Sequence, residues 1–431
     1  MKRSLGFWRT WALVVGTMIG SGVFLLPAVL APYGSYSLLG WFVSGAGTLF
    51  IALVLGSLAR RIPRIGGPYA YTREAFGDLP AFLVGWGYWI SMWSAGSAIA
   101  VAFSGYLSSF VPVLNAVPVA GAIGAVAVLW LFTGVNIAGV RSVGIVQLIT
   151  TVLKLLPLVA VAAAGLWVGN VTDIPATNPN GQSLPLMVAA MAMLTMWAYV
   201  GLEAATVPAE DIVEPGKTIP RAVVVGTLTA TVVYILATMG VMALMPAADL
   251  AKSASPFTDA AVAVFGAWGA KFIAVGALIA IAGALNSIVL LSGQVPRATA
   301  LDGLFPRRFE ALNRRGAPTF SLVVSSILAS VLIAMNYTRG LVSAFTTLIL
   351  ISTLTTLIPY AASAAAECRL QWLDAENTKR GRSLAIAVVA LAFSLFAIIG
   401  SGVEVFLYGM ALLAAGLPVY FWVKRRGSSE H

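Results

Sequence analysis

Twelve apolar segments, each long enough to cross a bilayer as a helix, run through this sequence. A transmembrane helix needs about 20 predominantly apolar residues. Only 10% of the residues are charged, against about 25% in soluble domains, so the chain cannot cover a water-facing surface. We predict an all-α, polytopic membrane protein with 12 transmembrane helices. They lie near residues 10–30, 36–59, 80–111, 119–138, 143–168, 185–208, 221–245, 269–297, 318–335, 341–366, 384–400 and 403–424.

The basic residues predict how these helices are oriented. All but four of the 26 lysines and arginines precede the first predicted helix, follow the last, or occupy every second loop. By the positive-inside rule, both termini are then expected to be cytoplasmic. The membrane is expected to be the cell inner membrane. The net charge of +10 is a topology signal on a surface that can meet anionic lipid. No nucleic-acid partner is expected.

Two residue types exclude most enzyme chemistry. The chain has one cysteine, Cys368, and its one histidine, His431, is the last residue. A cysteine- or histidine-based metal site is therefore excluded, as is a histidine-dependent triad. We expect no metal, no cofactor and no catalytic residues.

The first predicted helix contains glycines on both sides of a serine at mid-span, Gly20-Ser21-Gly22. Glycine lacks a Cβ atom, so a helix can open there and expose its amides to a ligand. Irregular backbone at this depth is tolerated only where it faces protein or a water-filled cavity. The alternative interpretation is close helix packing through small residues.

The sixth predicted helix carries Gly201 and Glu203 in mid-span. A charge there costs about 2.5 kcal/mol or more and normally marks a function, although a carboxylate bonded to a neighbouring helix is the alternative. Two interrupted helices five helices apart indicate an inverted-repeat transporter with a midplane site. Helices 1–5 (about 10–168) and 6–10 (about 185–366) then form a core over residues 1–384. Residues 385–431 add helices 11 and 12 and a cytoplasmic tail.

The ends of broken helices predict the kind of ligand. The exposed N–H groups of a helix N-terminus suit a carboxylate, and the freed carbonyls of a helix C-terminus suit an ammonium group. An α-amino acid carries both groups on one carbon. An amino acid or a close relative is therefore favoured over a sugar.

Several motifs resemble one transporter group. They are GTMIGSGVFLLPA at 16–28, GGPYAYTREAFG at 66–77, GLEAATV at 201–207, LDGLFP at 301–306, and the stretch 215–220. In order and spacing they resemble the amino acid–polyamine–organocation superfamily, in particular its bacterial arginine/agmatine, cadaverine/lysine and putrescine/ornithine antiporters. The resemblance implies a leucine-transporter-like fold, with a 5+5 inverted repeat in which helices 1 and 6 are broken.

The resemblance also implies substrate-binding roles. Ser21 and the amide of Gly22 would hold a carboxylate, and Trp197 would stack on the substrate. The amine would meet the carbonyls of Met18, Trp197 and Val200. The whole implied site comprises Met18, Ile19, Gly20, Ser21, Gly22, Trp197, Val200 and Glu203.

The inner gate of the antiporters implies three further residues here, Tyr88, Glu203 and Tyr360. Glu203 would also sense proton or substrate charge. Ser352 on helix 10 is a candidate for lining the pocket, but a polar contact between helices explains it equally well.

Three positions depart from the arginine antiporter. Ile288 stands in place of an aromatic residue and Gly96 in place of an asparagine. A cation–π contact of about 1–2 kcal/mol to guanidinium would be missing. Lys154 lies in helix 5, where the arginine antiporter is apolar. Its ammonium either replaces a coupling sodium ion between helices 1 and 8, titrates as a coupling group, or reaches an interface.

These observations favour a sodium-independent amino acid antiporter that exchanges cationic amino acids or their amine products by alternating access. A neutral amino acid exchanger, or a proton-coupled symporter or exporter, is the second hypothesis, and a channel or receptor the third. The expected partners are a small amino acid or amine and membrane lipid. A homodimer is left open.

Overall fold

The structure, a computed structural model, describes residues 6–62, 67–139, 144–202, 212–374 and 380–427; for Ser21, 144–154 and 215–216 it describes the backbone alone. Over these ranges the chain is almost entirely helical, and its β-contact is an isolated bridge between Gly34 and Ala176. In chain order the α-helices are α1 (Phe7–Met18), α2 (Ser21–Leu30), α3 (Ser37–Arg61), α4 (Pro68–Phe76), α5 (Asp78–Leu107), α6 (Val113–Ala116), α7 (Pro118–Ile137), α8 (Gly144–Val168), α9 (Leu184–Met196), α10 (Pro215–Leu244), α11 (Ala247–Leu250), α12 (Pro256–Leu301), α13 (Thr319–Asn336), α14 (Leu341–Leu373), α15 (Arg380–Ile399), α16 (Gly402–Ala414) and α17 (Gly416–Gly427).

Many of these helices can cross a membrane. In the part of the chain that the structure describes, nine helical stretches are long and apolar enough. The pair α1 and α2, bent by 42°, makes a tenth when it is counted as one span. Two further apolar helices, Leu155–Val168 and Leu184–Tyr199, are shorter. The chain is therefore a multi-pass, all-helical membrane protein, and the count of twelve stays a prediction.

Many helix boundaries follow the apolar segments closely, but α9 ends at Met196 where the prediction ran to 208, and α14 runs to Leu373 where the prediction ended at 366. The segments predicted near 36–59 and 119–138 correspond to α3 and α7. The eighth, predicted from about residue 269, begins at Pro256, because α12 has a limb that precedes a sharp bend at Gly266 (φ 66, ψ −176). Residues 256–265 run in a different direction from the rest of α12. Their hydropathy therefore need not match that of the part that crosses the membrane, and the predicted segment did not include them.

The centre of the bundle is α5, which packs against α14, α12 and α7. In an 18-residue apolar stretch of α5, 89% of the residues are buried inside the bundle, against 22% in the corresponding stretch of α15. Lipid tails are as apolar as leucine, so helices in a membrane associate through close packing of small residues. The stretch 94–100 of α5, Ser-Ala-Gly-Ser-Ala-Ile-Ala, provides such residues and is buried throughout. The outer helices expose large apolar side chains instead, such as Phe272 at 76%.

Candidate functional site

The first predicted interruption is a two-residue break between α1 and α2. The α1 helix ends at Met18, and the N–H of Ile19 still donates to the Val15 carbonyl at 2.8 Å. Gly20 then leaves the helical region (φ −128, ψ −142), and α2 begins at Ser21. The first N–H groups of a helix have no partner within it and carry partial positive charge. The start of α2 can therefore hold an anionic group.

The second interruption follows α9. After Met196 the chain makes one 3₁₀ turn, Trp197–Tyr199, and Val200 is extended. Gly201 has φ 103, a left-handed conformation that glycine adopts without steric cost. Side chains of α10 hold this segment, since the Tyr234 hydroxyl donates to the Ala198 carbonyl at 2.8 Å. The non-helical backbone is thus kept in one place by its neighbour.

The two interruptions touch each other. The Thr17 hydroxyl, one residue before the end of α1, lies 3.2 Å from the Gly201 carbonyl and 2.9 Å from the Leu13 and Val14 carbonyls of its own helix, so its one hydrogen is shared among three acceptors. A Cβ atom on Gly22 would lie 3.0 Å from Cδ1 of Trp197 and 3.2 Å from Cα of Ala198. A Cβ atom on Gly20 would lie 3.1 Å from Cβ of Ala284. The glycines are thus needed for close packing, and that packing brings the two sets of helix ends together.

The meeting point is closed to solvent. Ile19 is fully buried, Met18 is 2% exposed and Trp197 is 6% exposed. The indole N–H of Trp197 has no hydrogen-bond partner among the described residues. An unpaired buried donor costs free energy. A ligand with an acceptor oxygen beside Trp197 would remove that cost.

An aromatic cluster closes the far half of α2. The Tyr106 hydroxyl donates to the Phe24 carbonyl at 2.7 Å and accepts from the Phe257 N–H at 3.4 Å. The rings of Phe24 and Phe257 are 5.5 Å apart, edge to face. All three side chains are fully buried. The cluster joins α2 to α5 and to the first limb of α12.

The tyrosines of the predicted gate lie on two helices that pack against each other. Tyr88 on α5 is half-buried, and Tyr360 on α14 is fully buried. Ser352 donates to the Ser91 carbonyl at 2.8 Å, one turn from Tyr88. Its hydroxyl therefore makes the contact between helices that was the alternative to a pocket role.

Gly96 and Ile288, predicted separately as departures, face each other. A Cβ atom on Gly96 would lie 3.8 Å from Cγ2 of Ile288 and 3.8 Å from Cδ1 of Leu129. Gly96 is buried in α5, and Ile288 is half-buried on α12. The isoleucine thus packs over the space that the glycine leaves open.

Three predicted functional side chains fall outside what the structure describes. Glu203 lies in 203–211, beyond the described residues. Ser21 and Lys154 are described as backbone alone, at the start of α2 and within α8. The α8 helix packs against both α1 and α12, the two helices between which Lys154 was predicted to act.

An ion-pair cluster that was not predicted joins two of the motif stretches. Arg73 of α4 pairs with Asp78 (3.0 Å) and with Asp302 at the end of α12 (3.5 Å). Burial, and then the Asp302 charge, raise the pKa of Tyr69, so its phenol stays neutral. The motifs 66–77 and 301–306 contain these residues, and their resemblance to the superfamily predicts no contact between them. The positive charge of Arg73 and the negative charge of Asp302 were the available signal, but no spacing rule relates two positions so far apart in the sequence.

A multi-pass helical bundle in which two broken helices meet at a closed, central point is the architecture of a membrane transporter. The chain belongs to the amino acid permease family, which matches residues 5–420. Members of this family are transporters and not enzymes.

Relatives of known name extend over nearly the whole chain. The cadaverine/lysine antiporter of Escherichia coli (strain K12) is 32% identical, over 93% of this chain and 90% of its own length. The arginine/ornithine antiporter of Pseudomonas aeruginosa is 31% identical, over 95% and 88%. The putrescine transporter PotE of Haemophilus influenzae is 28% identical, over 98% and 97%.

A solved structure shows the same fold. The crystal structure of MhsT in complex with L-phenylalanine matches with a TM-score of 0.68. It covers 93% of this chain and 100% of its own, at 14% identity. MhsT has the leucine-transporter fold, so the likeness supports that fold for this chain.

Proposed function

We propose that this protein is an antiporter that exchanges cationic amino acids or their amine products by alternating access. The observation that carries the proposal is the contact between the two interrupted helices, where Gly22 packs on Trp197 and the Thr17 hydroxyl reaches the Gly201 carbonyl at 3.2 Å. The names of the relatives support the same substrates.

In this proposal the substrate lies between the broken ends. Its carboxylate meets the N–H groups of Ser21 and Gly22 at the start of α2. Its amine meets the carbonyls of Met18, Trp197 and Val200, and the Trp197 indole covers it. Ile19 and Gly20 supply the open backbone between the two halves. A substrate without a carboxylate keeps the amine contacts, so precursor and product can use one site.

Glu203 supplies the negative charge that a cationic substrate needs, and it forms the inner gate together with Tyr88 and Tyr360. The packing of α5 on α14 supports this gate, because a movement between these two helices would separate the tyrosines. Lys154 takes the place of a coupling sodium ion, so transport is sodium-independent.

One observation favours a second candidate, the exchange of neutral amino acids. Ile288 packs over Gly96, which leaves an apolar wall where a guanidinium group would need an aromatic face. Such a wall accepts an aliphatic side chain at little cost. A panel of arginine, agmatine, lysine, putrescine, leucine and alanine, tested by counterflow at two pH values, separates the candidates.

We further propose the finer architecture. Twelve transmembrane helices are arranged as two inverted five-helix repeats in a core over residues 1–384, and residues 385–431 form an appendage. Both termini are cytoplasmic, in the cell inner membrane. The fold of MhsT and the basic loops support this arrangement.

The variant Gly22→Ala tests the site. The added methyl group would sit 3.0 Å from Trp197 Cδ1, and overpacking of this kind costs about 1–3 kcal/mol. We expect the initial rate of exchange in proteoliposomes to fall about tenfold or more. The matched control is Gly56→Ala, a buried helical glycine whose methyl group would have ordinary contact at 3.7 Å. A Gly22→Ala protein that exchanges as fast as the control would refute the proposed site.

A further inference from the structure

The short helix α4 lies beside both helices of the proposed inner gate. It follows α3 at the basic end of the bundle, where α3 ends with Arg60 and Arg61. It packs against α5 and α14, which carry Tyr88 and Tyr360. Most of the motif at 66–77 forms this helix, and the proposed substrate site uses none of its residues. The helix can therefore act on the gate from outside the substrate site.

The seat of α4 on α5 is one helical turn from Tyr88. Tyr69 of α4 is 7% exposed. A Cβ atom on Gly85 of α5 would lie 3.3 Å from Cδ2 of Tyr69 and 3.1 Å from Oγ1 of Thr299 on α12. The glycine thus lets α4 and α12 approach the same turn of α5. Residues three apart share a face of a helix, so Tyr69 packs on the face of α5 that carries Tyr88.

Arg73 fastens this seat. Its Nε atom lies 3.0 Å from Oδ1 of Asp78, the first residue of α5, and its Nη1 atom lies 3.5 Å from Oδ2 of Asp302, just after α12. The three side chains are 38–44% exposed, and a single ion pair with that exposure stabilises little. A guanidinium group has five donors, however, and can hold two carboxylates at once. Arg73 therefore joins α4 to α5 and to α12 together.

The contact between α4 and α14 is of a different kind. The guanidinium carbon of Arg369 lies 5.4 Å from the ring centroid of Phe76, the last residue of α4. A cation over an aromatic face is attracted to it. Arg369 is exposed and Phe76 half-buried, so the contact can break without leaving a buried charge. Arg369 lies about two and a half turns beyond Tyr360 on α14.

We propose that α4 is a fixed support for the closed inner gate. Arg73 holds α4 to α5 and α12, and the contact between Phe76 and Arg369 holds α14 against it. Loss of that contact frees the end of α14, and Tyr360 moves with this helix away from Tyr88. The inference rests on the proposed function. Arg73, Phe76 and Arg369 are positioning residues, because they lie outside the proposed substrate site.

The variant Phe76→Leu tests this support, since it removes the ring and keeps an apolar side chain. Exchange of labelled lysine in right-side-out and inside-out membrane vesicles gives the half-saturating concentration at each face. The ratio of the two concentrations follows the balance between the conformations open to each face. We expect the concentration at the basic face to fall about 2- to 5-fold relative to the other, the range that an exposed cation–π contact supports. A general loss of stability would lower the rate and leave this ratio unchanged.

Further variants assign the shift to these contacts. Phe76→Tyr keeps the ring and should keep the parent ratio, whereas Arg73→Gln should move the ratio in the same direction as Phe76→Leu. Phe76→Leu combined with Arg369→Gln should shift it no further than either change alone, because both remove one contact. The matched control is Arg308→Gln, an exposed arginine in the turn after α12, which removes the same charge and should leave the ratio unchanged.

Deuterium uptake by the substrate-free protein measures the same support without transport. Peptides from 361–373, the end of α14, should exchange faster in Phe76→Leu than in the parent protein, and no faster in Arg308→Gln. A parent that does not exchange lysine, with uptake that changes in this way, would refute the proposed function and retain the support of α14. Exchange by the parent, with a ratio unchanged in Phe76→Leu, would overturn the support alone. Where no exchange is measured, unchanged uptake in Phe76→Leu would overturn it.

Discussion

The contact between Gly96 and Ile288 shows how one residue defines the room left for another. Cγ2 of Ile288 lies 3.8 Å from where a Cβ atom on Gly96 would be, so an alanine would fit while a longer polar side chain would meet the isoleucine. Substitution of one position alone therefore changes the shape of the wall as well as its chemistry.

An aromatic residue at position 288 should change the choice of substrate. We expect Ile288→Phe to raise the affinity for arginine by roughly 5- to 30-fold, because a cation–π contact is worth about 1–2 kcal/mol when desolvated. Competition of arginine against labelled leucine in proteoliposomes measures the change. Ile288→Leu keeps the volume without the ring and serves as the control. An arginine affinity equal in the two variants would remove Ile288 from the substrate wall.

At the scale of the elements, the bend in α12 depends on a single backbone conformation. Gly266 has φ 66 and ψ −176, and an added Cβ atom would meet nothing within 4 Å. The cost of a side chain there is thus one of backbone strain, since this region is essentially restricted to glycine.

The substitution Gly266→Ala should destabilise the protein by about 1–3 kcal/mol. The measurement is the thermal unfolding midpoint in detergent. Gly134→Ala also has open space around the new methyl group, but Gly134 lies within the regular helix α7. That control should be neutral or slightly stabilising. Equal midpoints for the two variants would mean that the bend carries no strain.

The elements differ in how far the sequence could predict them. The ends of long apolar helices such as α3 and α7 were predicted to within about two residues, because the apolar residues that define each helix are contiguous in the sequence. The first limb of α12 was missed, since a bend through one glycine leaves no apolar pattern. The predicted sixth helix, 185–208, stops being α-helical after Met196. Its glycine indicated a break, but not where the break begins.

The candidate site was predictable only in part, because local sequence patterns indicate where a helix opens but not which distant segment it meets. Glycines around a mid-span serine indicated an opening, whereas the Thr17–Gly201 bond depends on folding of the whole bundle. Outside that site, the buried carboxylate of Glu367 on α14 was missed because it lies just past the predicted end of its helix at residue 366. Its partner Ser57 is 310 residues away in the chain.

For the whole molecule, the position of α8 against α1 and α12 carries a prediction about ions. If the Lys154 ammonium occupies the place of a sodium ion, exchange should proceed at the same rate when sodium is replaced by choline. Lys154→Ala should lose exchange in both media, whereas Lys271→Ala, outside the proposed coupling site, should not. A strict sodium requirement in the parent protein would contradict this role for Lys154.

The hydrogen bond from Thr17 to the Gly201 carbonyl has a kinetic consequence. It is a neutral contact of 3.2 Å between the two interrupted segments, which also pack through Gly22 and Trp197, and such a bond contributes about 0.5–1.5 kcal/mol net. Rupture of a contact this weak slows a step by about 2- to 13-fold. If the two helix ends separate during exchange, this bond alone therefore sets no slow step, because the Thr17 hydroxyl keeps the Leu13 and Val14 carbonyls of its own helix as acceptors.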